Sequence, residues 1–178
     1  MENLQLFRHS CLRRDDGEEA FFDTLSRERG SELRAYMNIV APISSVSELE
    51  MLLECGADEL YCGVSTPEWE EHFGGTWWMN RRSPQGANLT SWEELQALVT
   101  QAHDANTPVH VTLNNPFYTQ GSVEYVTRLA RRLAGELGVD SLIVSDLTLL
   151  TRLLAEGLPT DLHLSSLGSC TNGRSVGF

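Results

Sequence analysis

The sequence predicts an α/β protein, a partial TIM (β/α) barrel with about five parallel strands of the eight that close such a barrel. Three observations predict it. Short apolar runs alternate with amphipathic stretches of helical period, the pattern of a parallel sheet covered by helices. One unit repeats: Gly56-Ala57-Asp58-Glu59-Leu60 returns as Gly138-Val139-Asp140-Ser141-Leu142, each time a glycine that ends a helix and a turn that feeds a strand. Each strand also finishes in small or polar residues, where (β/α) barrels carry their catalytic groups. No G-x-G-x-x-G follows the first strand, so a doubly wound dinucleotide-binding sheet is the weaker alternative.

The elements follow in order. Residues 1–34 are dense in mixed charge, with Phe21, Phe22 and Leu25 as an apolar anchor. They predict an appended extension, helical or partly disordered, and residues 35–178 the N-terminal part of the barrel. Tyr36 to Pro42 reads as a short buried strand stopped by proline. Ser45 and Glu48 make a capping box for a helix striped by Val46, Leu49, Leu52 and Leu53 and ended by Gly56. Glu59 to Gly63 is the second strand. Val64 to Thr90 reads as a long irregular stretch. Ser91 and Glu94 open the next helix, lined by Trp92, Leu95, Val99 and Ala102. Val109 to Asn114 is the third strand, and Ser122 to Leu137 a helix. Ser141 to Ser145 is the fourth strand. Asp146 caps a leucine-rich helix closed by Gly157, and Asp161 to Ser165 is the fifth strand.

Composition narrows the chemistry. The chain has 178 residues; its 13 basic residues are all arginine, against 25 acidic ones, for a net charge of -12. Without lysine there is no Schiff base, no phosphate-loop lysine and no Ser-Lys dyad. The acidity argues against a general nucleic-acid binder but leaves room for a local arginine site. No apolar run approaches a membrane span, and Met1 to Asp16 holds no apolar stretch of signal-peptide length, so a cytoplasmic protein is expected. Cys11, Cys55, Cys62 and Cys170 show neither C-x-x-C nor zinc spacing, and no metal site is expected from them.

Several segments together resemble one family. They are Ala41-Pro42 with its Ser-capped helix, Ala57 through Gly63, Arg81-Arg82, Ala87-Asn88-Leu89, Val111 through Asn114, Gly138 through Leu147, and His163-Leu164-Ser165-Ser166 with Thr171-Asn172. In order and spacing they resemble the N-terminal half of the collagenase-like peptidases, the U-thirty-two peptidase family. The resemblance implies a (β/α) barrel and carries a peptidase, hence hydrolase, label. It also implies a second chemistry, since some members hydroxylate RNA or a quinone precursor with an iron-sulfur cluster. The cluster cysteines of those members lie mostly beyond Phe178, so no cofactor is expected in this chain. Leu167 stands where the family usually has Gln.

Candidate site residues follow from strand position and from the resemblance. His163, Asn114 and Ser165 are the catalytic candidates: an inward histidine suits general acid–base work, and an asparagine amide orients a carbonyl or carboxylate. Arg82, Asn88 and Asn172 are the substrate-binding candidates, with Arg82 a bidentate clamp for a carboxylate. His110, deeper in the strand, reads as structural, and Asp146 as a helix cap. Trp69, Trp77, Trp78, His72, Arg81 and Arg82 make the 64–90 stretch a candidate lid. Cys62 and Cys170 fall at the presumed catalytic face, as cluster ligands, as small buried thiols, or as the thiol of a Cys–His protease with His163. The substrate stays open among a small molecule, a peptide and RNA. A barrel short of strands exposes two sheet edges, so the competing expectation is a non-catalytic half-barrel that needs a homo-oligomer or a complementing C-terminal half.

Overall fold

The computed structural model describes residues 37–74, 78–82 and 86–168. The expected extension over residues 1–34, Trp77, Cys170 and Asn172 lie outside them. Strand β1 is Val40–Pro42, β2 Glu59–Val64, β3 Asn88–Leu89, β4 Val109–Leu113, β5 Ser141–Val144 and β6 Asp161–Leu164. Helix α1 is Leu49–Glu54, α2 Pro67–Phe73, α3 Trp92–Asp104, α4 Gln120–Arg132 and α5 Leu147–Glu156.

All described strands are parallel, and all but β3 follow the order β1-β2-β4-β5-β6. The order rises along the chain without the reversal that defines a doubly wound sheet. This is the wall of a (β/α) barrel. The short β3 pairs with the end of β2 at Gly63 and Val64, above the stretch Glu59–Tyr61 that β1 covers. β3 was not expected from the sequence, because two residues carry no readable period.

The helix boundaries follow local chemistry. Ser45 and Glu48 form the capping box, with the Glu48 carboxylate accepting from Ser44 N at 2.7 Å and Ser45 N at 3.2 Å. A 3₁₀ turn, Val46–Glu48, precedes α1. Ser91 Oγ accepts from Glu94 N at 3.0 Å to start α3. Helix α4 begins before Ser122, because Thr119 Oγ1 takes the capping role and accepts from Ser122 N at 3.3 Å. It runs into a π turn, Leu133–Leu137, closed by Gly138 at φ 69°. Asp146 Oδ1 caps α5 by accepting from Leu149 N at 2.8 Å, and Gly157 closes it at φ 62°.

The repeated glycine-to-strand unit has a structural meaning. Asp58 N donates to Ile39 O while Asp58 Oδ2 accepts from Ile39 N at 2.8 Å. Asp140 does the same with Val109: its N donates to Val109 O, and its Oδ2 accepts from Val109 N at 2.8 Å. Each aspartate thus fastens the start of its own strand to the start of the neighbour before it.

The two faces of the sheet differ. Leu60, Cys62, Val64, Val109, Val111, Leu113, Leu142 and Val144 face the helices and join Leu95, Leu98, Val99, Val126 and Leu149 in one apolar core. The opposite, inner face carries Glu59, Tyr61, His110, Thr112, Ser141 and His163. No helix among the described residues is long and apolar enough to cross a membrane.

Candidate functional site

The ends of the strands are tied into a rim. Asn114, just past β4, turns its Oδ1 to accept from Arg81 N at 2.9 Å, and its own carbonyl accepts from Ser145 Oγ at 2.8 Å. Asn80 Nδ2 donates to Val64 O and to Asn88 Oδ1, while Asn80 Oδ1 accepts from Arg82 N at 2.9 Å. Asn115 Nδ2 donates to Trp78 O, and the Tyr118 hydroxyl donates to Met79 O at 2.5 Å. Burial holds the Tyr118 phenol protonated far above its usual range, which keeps it a donor. Residues 78–82 are therefore stapled onto the ends of β2 and β4.

Arg82 lies within this rim. Its Nε donates to Ala87 O at 2.5 Å, and its Nη2 donates to Ile43 O and Ser44 Oγ. The guanidinium also stands 5.2 Å above the Tyr61 ring. Gly63 makes room: a Cβ there would lie 2.0 Å from Asn88 Oδ1 and 2.7 Å from Arg82 Cδ. Ser165 is buried at the end of β6, and its Oγ accepts from Leu167 N at 3.2 Å.

Below the rim, toward the strand starts, the inner face holds a second polar group. Glu59 Oε2 lies 2.9 Å from His110 Nε2. His110 Nδ1 lies 2.7 Å from Ser141 Oγ, and Ser141 Oγ 3.2 Å from His163 Nδ1. The two imidazole centroids are 5.4 Å apart. Burial lowers the proton affinity of His163, and His110 lowers it further; Asp161 and Glu59 oppose the shift. The order Glu59, His110, Ser141 has the connectivity of an acid–base–nucleophile triad. Ser141, however, is 1% exposed at the very start of its strand, where a hydroxyl has no approach for an acyl group.

The candidate residues thus divide between two levels. Asn114, Ser165, Arg82 and Asn88 gather at the rim. His163 turns back toward Ser141, although it precedes Ser165 by only two residues, about 7 Å of strand. His110 is built into the lower group. Asp146 is the helix cap that its position predicts.

The lid expectation is corrected in part. Thr66, Pro67 and the acidic first turn start α2 inside the 64–90 stretch. Trp69 on this helix is 1% exposed and packs on Phe73 and Tyr125, so it is core. His72 Nδ1 lies 2.8 Å from Glu68 O within the same helix. Trp78 is exposed. Asn80, Asn115 and Tyr118 were missed from sequence. Their only signal was the polar Met79-Asn80-Arg81-Arg82 and Asn114-Asn115-Pro116 runs, whose pairing is long-range.

Of the readings of Cys62, the small buried thiol is the one observed, and its catalytic-face placement is corrected. It alternates with the inward Tyr61 and Gly63, so its side chain enters the helix-side core, not the catalytic face. Burial pushes its thiol up to about 12, although Arg82 opposes the shift. A Cys62–His163 pair does not form, because the two side chains stand on opposite faces of the sheet. An iron–sulfur cluster needs thiolates that converge. The described cysteines are Cys62, in the core, and Cys55, exposed at the end of α1, and no group of three or more His, Cys, Asp or Glu among the described residues could hold a metal ion. These residues do not fit a cluster.

A singly wound parallel sheet, helices on one face and a polar inner face on the other, defines a (β/α)-barrel protein with its polar groups at and below the strand ends. The model of peptidase family U32 matches residues 44–178, and the chain belongs to that family. The fold is similar to the solved structure of the U32 peptidase Mk0906, with a TM-score of 0.58 at 16% identity. That match covers 78% of this chain and 53% of the other, so the chain spans about half the length of that protein.

Proposed function

We propose that the chain is the N-terminal, substrate-facing part of a U32 barrel enzyme, hydrolytic as the family's peptidase name implies. His163 serves as the general acid–base. Asn114 and Ser165 hold the substrate's carbonyl or carboxylate, and Arg82, Asn88 and Asn172 shape the binding side. Arg82 contributes chiefly by ordering the rim, since Nε and Nη2 already hold the chain. The cytoplasmic placement belongs to the same proposal.

One observation carries this reading. The inner face buries His110, Thr112, Asn114, Ser145, His163 and Ser165, each less than 9% exposed. A barrel interior that serves only stability is filled by branched apolar side chains, and buried polar groups cost free energy unless satisfied. The test is hydrolysis of gelatin and short peptides by the full chain and by His163→Ala, under anaerobic and metal-replete conditions. Loss of a general acid–base should cost about 10²–10⁴-fold in rate. Activity that survives the substitution removes His163 as the essential base.

A second reading is a non-catalytic half-barrel that acts with a complementing chain or a second copy. Its support is that β1 and β6 end the described strand order, each with one neighbour in it. Hydroxylation of RNA or a quinone precursor, the family's other chemistry, would draw its cluster cysteines from outside the described residues.

A further inference from the structure

Glu59, His110, Ser141 and His163 form one file across β2, β4, β5 and β6, with spacings of 2.9, 2.7 and 3.2 Å. Donor and acceptor rules fix how protons sit along it. An ionised carboxylate only accepts, so His110 Nε2 carries the proton given to Glu59. With His110 neutral, its Nδ1 is bare and accepts from the Ser141 hydroxyl. Ser141 Oγ then accepts from His163 Nδ1–H, and Nε2 becomes the proton-accepting atom of His163. A proton on His110 reverses the file. Nδ1–H of His110 then donates to Ser141, the hydroxyl turns to donate to His163 Nδ1, and His163 carries its proton on Nε2. One hydroxyl rotates and no ring moves.

We infer that this file is a proton relay in which His163 Nε2 takes the proton and the positive charge comes to rest on His110 beside Glu59. Three transfers balance the step. A proton arrives at His163 Nε2, the Nδ1 proton of His163 passes to Ser141 Oγ, and the Ser141 hydroxyl proton passes to His110 Nδ1. The products are a neutral His163, an intact serine and an imidazolium at His110. Among the described residues, the charged groups facing the file are Glu59 from β2 and Asp161 from β6. Ser141 and Ile143 of β5 add no charge. Glu59 is held from its other oxygen by Asn38 Nδ2 at 2.5 Å, which leaves Oε2 aimed at His110. Glu59, His110 and Ser141 are positioning residues, and the inference rests on His163 being the acid–base proposed above.

Nitrogen NMR of the full chain with ¹⁵N-labelled histidine tests it without any substrate. Near pH 8, His163 should be the Nδ1–H tautomer. As His110 gains a proton, His163 should change to Nε2–H with the same midpoint. In Ser141→Ala the tautomer of His163 should stop following His110. In Glu59→Gln the shared midpoint should move down, since the paired charge is gone. Both replacements are close to isosteric, and melting curves check their folding; should Ser141→Ala not fold, Glu59→Gln decides. An Nε2–H tautomer in the wild type near pH 8, independent titration of the two rings, or an unmoved midpoint in Glu59→Gln overturns the relay. Those outcomes leave the hydrolysis assay of His163→Ala to stand or fall by itself.

Discussion

At the level of single residues, His163 gives the clearest pH signature. Burial and His110 hold its folded-state pKa below the ordinary 6.5. Between those two values the unfolded chain binds more protons than the folded one, so stability rises with pH there. The melting temperature should therefore fall as pH drops through 6.5 toward the lowered value. Replacing His163 by Asn should remove that part of the slope, as read by melting curves from pH 8 to 5. An unchanged slope would count against a buried, proton-poor His163. The sequence made the inward placement of His110 and His163 legible, because strand alternation assigns faces. It could not show that Ser141 lies between them, since that depends on the register of β4, β5 and β6. The same alternation, applied to Cys62 beside Tyr61, would have placed the thiol in the core.

Among the elements, α2 shows where periodicity fails and end signals succeed. Seven residues give too few turns for an apolar stripe to be read, and only Trp69 and Phe73 mark its buried side. Thr66 before Pro67, with Glu68 and Glu70 following, is nonetheless a helix start by capping rules. The Thr66 hydroxyl also lies 2.7 Å from the Tyr125 hydroxyl of α4, so the cap doubles as a tie between helices. Trp69→Ala should cost about 3–5 kcal/mol of stability, the scale for an aromatic core truncation, measured as a lowered urea midpoint. A loss within ~0.5 kcal/mol, typical of surface changes, would return Trp69 to the lid.

On the scale of the whole molecule, the question is what meets the ends of the sheet. Helix α5 exposes Leu147 and Leu154, seven residues apart and so on one side of the helix. Met37 and Ile39, beside β1, are exposed as well. Light scattering on the purified chain should give a mass above the 19.9 kDa monomer if the half-barrel reading holds. A monodisperse monomer that melts cooperatively would sink it. Apart from β3, the succession of strands was readable in the sequence, from the alternation and from one short repeat. The polar contents of the inner face were readable only as a list of residue types.

The paired aspartates carry a consequence for how such a wall can grow. Asp58 and Asp140 each grip a backbone amide at the start of the strand laid down before them, so two joints of the sheet, β1 to β2 and β4 to β5, carry their own alignment peg. At those two joints register is settled between neighbours and does not wait for the cylinder to close. An arc built this way keeps its spacing whatever stands at its open ends.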